Sequence, residues 1–275
     1  MLRAAVLGSP VAHSLSPALH AAGYAACGLE DWEYGRHEVD AAGLPAFVAG
    51  LDDTWRGLSL TMPLKEAALE VASSVSDVAR QAGAANTLVR RDDGGWDATN
   101  TDVSGAAEAL RPHLPGEPRR ALVLGAGATA RSVVLALAGL GVTTLTVRAR
   151  DTAKGADLLA WALDAGIGIR NGSVAAIDAW VTTKDDVVVS TVPPAGGEDV
   201  AATVPAQHGG VLLDVVYAGW PTPVARAAAA AGMTVVSGLD LLVHQAAAQF
   251  TLFTGRPAPV EAMAAAGLAA LGGRA

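Results

Sequence analysis

Along this chain the apolar positions switch repeatedly between a strand-like and a helix-like spacing. RAAVLG reads as a strand, SPALHAAGYAACG as a helix with Ser16 at its cap and Pro17 at N1, and WEYGRHEV as a second strand. GLSLTM then predicts a strand and LKEAALEVAS a helix, while NTLVRRDDGGWDATNTD predicts a hairpin turning at DDGG. PHLPGEPRR at 112–120, rich in proline, glycine and charge, interrupts this alternation and reads as a linker.

Beyond it the alternation resumes with ALVLG, a helix from Thr129 to Leu140, TTLTVR, a helix from Thr152 to Ala165, GIGIR, DDVVVST, GVLLDVVY and MTVVSG. Six strands with intervening helices or loops suit a doubly wound sheet. DLLVHQAAAQFTLFTG and VEAMAAAGLAAL, separated by RPAP, are helical in period. The expected fold class is therefore α/β in two domains. Residues 1–104 form an N-terminal α/β domain and residues 105–239 the doubly wound one, with the helices of 240–275 packing back on the first.

Composition narrows the class. Hydrophobic residues make up 51% of the 275 and charged ones 17%, ample for a buried core and too apolar for disorder. The net charge of −8, without a Lys/Arg cluster, offers no footprint for nucleic acid. A small-molecule ligand is expected instead. The single cysteine, Cys27, cannot form an internal disulfide, and neither a signal peptide nor a long apolar span is evident. The expected compartment is the cytoplasm, with no membrane association. Six histidines lack metal-ligand spacing, so no metal site is expected.

The strongest local motif is ALVLGAGATAR, which sets Gly125, Gly127 and Ala130 in a G-x-G-x-x-A arrangement after a strand and at the opening of a helix. Gly125 allows the tight turn, Gly127 lets backbone N–H groups approach a pyrophosphate, and Ala130 lets the helix sit close on the strand. Residues Gly125, Ala126, Gly127, Ala128, Thr129 and Ala130 are thus the expected phosphate cradle of a Rossmann-like dinucleotide-binding domain. At the end of the next strand, where NAD enzymes carry a carboxylate for the adenosine ribose, Arg148 and Arg150 come first. Guanidinium groups suit a 2′-phosphate, so NADP is the expected cofactor, with Asp151 the residue that could serve NAD.

A nicotinamide cofactor implies hydride transfer, and the reacting oxygen then needs a group to manage its proton. LSLTMPLKEA at 58–67 delivers Lys65 just past a strand and Pro63, and TNTD at 99–102 supplies a carboxylate, Asp102. Singly, Lys65 reads as a solvated lysine and Asp102 as a helix cap. Gln245, an amide on an apolar helix, demands partners if buried.

GSPVAHSLSPALH at 8–20, LTMPLK at 60–65, GAANT at 83–87, TNTD, GAGATAR at 125–131 and LLVHQAAAQF at 241–250 together resemble the serial motifs of the shikimate dehydrogenase family, in that family's order. The resemblance implies that Lys65 and Asp102 are the catalytic pair, with the lysine facing the substrate's reacting hydroxyl. It assigns Ser14 and Ser16 to the substrate carboxylate, and Thr61, Asn86, Asp102 and Gln245 to the ring hydroxyls or nearby positions. It also sets Tyr217 near the substrate and the backbone around Gly238 at the nicotinamide. Three departures from the common pattern stand out: Ala21 follows His20 where an asparagine is frequent, Ser59 replaces an asparagine, and Ala149-Arg150-Asp151 replaces Asn-Arg-Thr/Ser.

The implied activity is NADP-dependent interconversion of 3-dehydroshikimate and shikimate, in chorismate and aromatic amino-acid biosynthesis, by a monomer or homodimer. The alternative within the same class is a quinate or aminoshikimate dehydrogenase, with NAD as a possible cofactor. From another class, the alternative is a non-catalytic NADP-binding regulatory protein, against which the joint presence of Lys65 and Asp102 argues.

Overall fold

The computed structural model describes residues 1–177 and 187–273. The chain divides into two units, Met1–Gly105 with Leu242–Ala275, and Ala106–Leu241. The first unit begins with β1 (Leu2–Gly8), α1 (Ser16–Ala26), β2 (Trp32–Glu38), α2 (Leu44–Ala49), β3 (Trp55–Leu60) and α3 (Leu64–Val71). It continues with β4 (Ser74–Val75), α4 (Asp77–Ala82), β5 (Thr87–Arg90), β6 (Trp96–Thr99) and the start of α5 (Thr101–Leu110). Its sheet has the order β2-β1-β3-β5-β6-β4. β1 is parallel to both of its neighbours, and β5 runs antiparallel between β3 and β6.

Burial explains the apolar run of β1, which is flanked on both sides and has its residues Ala4–Gly8 buried. Leu7, Leu58, Leu60, Leu64, Leu88 and Trp96 form the centre of the core on one face of this sheet. β5 and β6 make the expected hairpin, with Arg90 opposite Trp96 and Thr87 opposite Thr99. Ser16 is not the cap of α1: Leu15 holds that position without a side-chain bond, and Ser16 is already helical and buried. The Ser16 hydroxyl is instead engaged by Ser14 at 3.2 Å.

The second unit contains β7 (Arg120–Leu124), α6 (Ala128–Gly139), β8 (Thr144–Ala149), α7 (Thr152–Asp164), β9 (Asn171–Ala176) and β10 (Val187–Ser190). It goes on through α8 (Gly197–Ala201), β11 (Val211–Asp214), α9 (Pro223–Ala230) and β12 (Thr234–Val236) to the start of α10 (Gly238–Thr254), and α11 (Val260–Gly272) follows in the first unit. Among the described residues its six strands are all parallel in the order β12-β11-β10-β7-β8-β9, so the winding reverses between β7 and β10. That is the doubly wound arrangement, with its switch point beside β7.

Two expectations shift. The segment 112–120 does not separate the units: the divisions fall after Gly105 within α5 and after Leu241 within α10. GIGIR is not the third strand of this sheet, because Gly166 and Gly168 take φ of +66° and +98°, which an extended strand cannot accommodate. The strand forms just afterwards, as β9. Of DDVVVST, Asp185 and Asp186 lie outside the described residues, and the run from Val187 to Ser190 is β10. In the first unit α11 lies along α1, with Met263 fully buried.

Candidate active site

In the first unit β1, β3 and β6 end at the same edge of the sheet at which the antiparallel β5 begins. Six of the residues singled out in this unit emerge there: Ser14 and Ser16 after β1, Thr61 and Lys65 after β3, Asn86 immediately before β5, and Asp102 after β6; Gln245 comes instead from α10. Ligand sites in α/β sheets gather at this carboxyl edge, where the loops leaving the strands lead into helix N-termini.

Lys65 sits in the first turn of α3, and its carbonyl accepts from the Ala85 N–H at 2.7 Å, tying that turn to the GAANT loop. Its Nζ donates to Asp102 Oδ2 at 2.5 Å, with the two side chains 19% and 9% exposed. An ion pair this sheltered is screened far less than one on the surface. Asp102 occupies the first turn of α5, where the helix dipole favours a carboxylate, and its own N–H is held by Asn100 Oδ1 at 3.0 Å.

Asn86 completes the arrangement. Its Nδ2 donates to Asp102 Oδ1 at 2.8 Å and lies 3.2 Å from Gln245 Oε1, while its Oδ1 accepts from the Thr101 N–H and the Thr87 hydroxyl, each at 2.8 Å. Gln245 in turn donates to the Leu242 carbonyl at 3.0 Å. The structure thus brings Lys65, Asn86, Asp102 and Gln245 into one hydrogen-bonded group. Ser14 and Ser16 are paired with each other, and the Arg36 guanidinium donates to the Ser14 carbonyl at 2.8 Å. Thr61 is half-buried, its backbone N–H bonded to the Leu7 carbonyl at 2.9 Å.

Behind this group lies a buried chain of polar side chains that motif reading misses. The Tyr34 hydroxyl donates to Ser59 Oγ at 2.6 Å, and Ser59 donates to Gln249 Oε1 at 2.7 Å. Gln249 Nε2 then donates to the Asn86 carbonyl at 3.1 Å and to Thr87 Oγ1 at 3.0 Å. Burial pushes the Tyr34 phenol up, with the hydrogen bonds to Ser59 and Ser16 acting against that shift, so it stays protonated. Ser59 has committed its only proton to Gln249, so it offers no donor to a ligand. Gln249 follows Gln245 by one helical turn, and the signal that singles out Gln245, an amide on an apolar helix, applies to it equally.

The second unit carries the nucleotide motif. Gly125 has φ +107°, and a Cβ there would lie 2.3 Å from Thr191 Oγ1, so the turn after β7 admits only glycine. Its N–H bonds to the Arg148 carbonyl at 2.7 Å, fastening the turn to β8. Gly127 caps α6 and faces open space, Ala126, Ala128 and Thr129 are half-buried, and Ala130 is fully buried beneath the helix. A phosphate could therefore approach the first amides of a twelve-residue helix without meeting a side chain at 127. The residues present fit a dinucleotide.

The two arginines differ. Arg148 is half-buried, with Nη1 reaching the Ala176 carbonyl at 3.4 Å, whereas Arg150 is exposed past the end of β8. Asp151 Oδ1 accepts from the Ala153 and Lys154 N–H groups at 3.1 and 3.2 Å, which makes it the N-cap of α7 and gives one oxygen of this carboxylate a structural duty. Tyr217 is half-buried in the loop after β11. Gly238 opens α10 so tightly against that loop that a Cβ would lie 2.3 Å from the Val215 carbonyl oxygen.

Comparison with known proteins follows the same outline. The shikimate dehydrogenase substrate binding domain matches residues 6–88, and the shikimate 5'-dehydrogenase C-terminal domain matches residues 238–266. A shikimate dehydrogenase (NADP(+)) from Anaeromyxobacter sp. (strain Fw109-5) is 39% identical, over 97% of this chain and 95% of its own. The crystal structure of Mycobacterium tuberculosis shikimate dehydrogenase is 45% identical, covers 98% of this chain and 100% of that one, and superposes with a TM-score of 0.86. Shikimate 5-dehydrogenase from Thermus thermophilus, solved in complex with NADP(H) and shikimate, is 34% identical over 98% of this chain and 100% of that one, with a TM-score of 0.85. At these identities over nearly its whole length, the chain belongs to the shikimate dehydrogenase family.

Proposed function

We propose that the protein catalyses the NADP-dependent, reversible reduction of 3-dehydroshikimate to shikimate, with Lys65 and Asp102 as its catalytic pair. The observation that carries the reading is the sheltered Lys65–Asp102 ion pair, held by Asn86 at the carboxyl edge of the first sheet, in a chain of this family. NADPH, when bound, supplies the hydride. The chain supplies the rest.

Lys65 donates a proton from its ammonium to the carbonyl oxygen as that oxygen gains charge, and takes it back in the direction of oxidation. Asp102 holds the lysine side chain in place and balances its charge in the ammonium form, before the proton leaves in reduction and after it returns in oxidation. Asn86 and Gln245 offer amide groups, and Thr61 a hydroxyl, to the ring hydroxyls. Ser14 and Ser16 receive the carboxylate. A site built from such groups rejects ring analogues that lack the matching hydroxyl. Tyr217 is the further substrate contact in this reading.

For the cofactor, Gly125 through Ala130 receive the pyrophosphate at the N-terminus of α6, and the exposed Arg150 meets the 2′-phosphate with Arg148 behind it. The backbone at Gly238 lies along the nicotinamide. We place the enzyme in the cytoplasm on the strength of its lone cysteine, Cys27.

The test is an initial-rate assay at the reduced-nicotinamide absorbance band, with shikimate and quinate each offered NADP and NAD at saturation. Turnover of shikimate with NADP in clear excess over the other three combinations is expected. A preference for quinate or NAD, or cofactor binding without turnover in any combination, would overturn the assignment.

A further inference from the structure

The polar side chains behind the Lys65–Asp102 pair form a chain with a single direction. Tyr34 donates to Ser59, Ser59 to the Gln249 carbonyl, the Gln249 amide to Thr87, Thr87 to the Asn86 carbonyl, and the Asn86 amide to Asp102. Ser59, Thr87, Asn86 and Gln249 are each less than 5% exposed, so a partner lost from this chain leaves a buried polar group unsatisfied at a cost. Successive bonds of one polarity strengthen one another in such a setting.

Gln249 sets the direction of the Thr87 proton. A hydroxyl such as Thr87 Oγ1 has one proton, and by donating to that oxygen Gln249 Nε2 turns the proton toward Asn86 Oδ1, 2.8 Å away. Asn86 Oδ1 also accepts from the Thr101 N–H, and these donors together settle which end of the amide faces Asp102. Reversed, the amide would set its carbonyl oxygen against the Asp102 carboxylate, two acceptors with no proton between them. Gln249 also grips the Asn86 backbone carbonyl, so it bears on the position of Asn86 directly and, together with the Thr101 N–H, on the orientation of its amide through Thr87.

We propose that Gln249 is a positioning residue for the reaction: through Thr87 it orients the Asn86 amide toward Asp102, and so holds the carboxylate that anchors Lys65. This rests on the reading of Lys65 and Asp102 as the catalytic pair. It assigns Gln249 no contact with substrate or cofactor.

The experiment compares Gln249→Met, Thr87→Val and Thr87→Ser with the unaltered full chain, measuring shikimate oxidation with NADP, the KM for NADP, and thermal unfolding. Gln249→Met keeps the length of the side chain without its hydrogen bonds, and Thr87→Val keeps the shape of residue 87 without its hydroxyl. Both are expected to lower kcat/KM for shikimate by about 10- to 100-fold, the scale of a small misplacement at a reacting centre. The KM for NADP is expected to stay within about twofold, and Thr87→Ser, which restores the hydroxyl, to recover most of the activity.

A drop in the unfolding midpoint with undiminished kcat/KM per folded molecule would reduce Gln249 to a structural residue and overturn the proposal. So would equal losses in Thr87→Val and Thr87→Ser. If Gln249→Met does not fold, the Thr87 pair decides alone. Lys65→Ala run alongside separates the two levels of inference: its inactivity together with an active Gln249→Met sinks the positioning role only, whereas an active Lys65→Ala removes the catalytic pair on which that role depends.

Discussion

Phe253 lays its ring across Gly57, so close that a Cβ on residue 57 would lie 2.0 Å from Phe253 Cδ1. The glycine of β3 thereby seats α10 on the first sheet, an attachment between residues almost two hundred positions apart. Gly57→Ala is expected to destabilise the protein by about 1–3 kcal/mol, the usual cost of overpacking a filled core. Adding Phe253→Leu should recover part of that loss, since the leucine vacates the space the methyl needs. Urea unfolding of the two single variants and the double variant checks this, and strictly additive losses would show that the ring is not what the methyl strikes.

Lys65→Ala removes the ammonium that Asp102 holds and leaves the second unit untouched. The expected result is a fall in kcat of roughly 10²- to 10⁴-fold, the range for a proton-transfer group, with NADPH affinity unchanged by fluorescence titration. Loss of cofactor affinity together with turnover would point to misfolding instead. Retained turnover would remove Lys65 from the chemistry.

Asp151 and Arg150 are neighbours with separate duties, and their variants should behave differently. Arg150→Ala is expected to raise the KM for NADP by about 10- to 100-fold, the loss of a charge-assisted hydrogen bond of about 1.5–3 kcal/mol, while the KM for NAD changes little. Asp151→Ala should cost about 1 kcal/mol of stability through its cap on α7 and leave the ratio of the two KM values alone. Steady-state kinetics with both cofactors and a melting curve separate these effects. A shift in cofactor preference in Asp151→Ala would show that its carboxylate reaches the ribose.

The elements that the sequence announces are those with a local cause. The turn at Gly125, the hairpin through Arg90 and Trp96, and the buried run of β1 each follow from residues within a few positions of one another. GIGIR misleads because its alternating isoleucines imitate a strand, while the glycines between them take left-handed backbone. The role of Asp151 is hidden for a related reason: whether a carboxylate after a strand binds a ribose or caps the next helix depends on where α7 begins. The chain from Tyr34 to Asn86 is illegible in a different sense. Ser59 meets Gln249 across 190 positions, so neither residue's surroundings in sequence hint at the other.

His20 makes a prediction about pH that no motif suggests. Its ring is fully buried on α1 and stacked on Tyr34 of β2, with centroids 4.0 Å apart, and the rings of Tyr24 from α1 and Phe250 and Phe253 from α10 lie around it. Burial drives its pKa from 6.5 down to about 3, with the neighbouring Gln249 side chain offsetting only part of the shift. Between those two values the unfolded chain takes up a proton that the folded chain refuses. Folding stability contributed by neutral His20 is therefore intact above pH 6.5 and declines as the pH falls toward 3, by about 1.4 kcal/mol per unit well inside that window. His20→Phe keeps a flat ring against Tyr34 and has nothing to protonate. Unfolding free energies at pH 7, 6 and 5 should accordingly fall less steeply in His20→Phe than in the unaltered protein, by up to about 2 kcal/mol across that range. Parallel curves would mean that the native state accepts the proton on His20, and the ring's burial would then have to be relieved in solution.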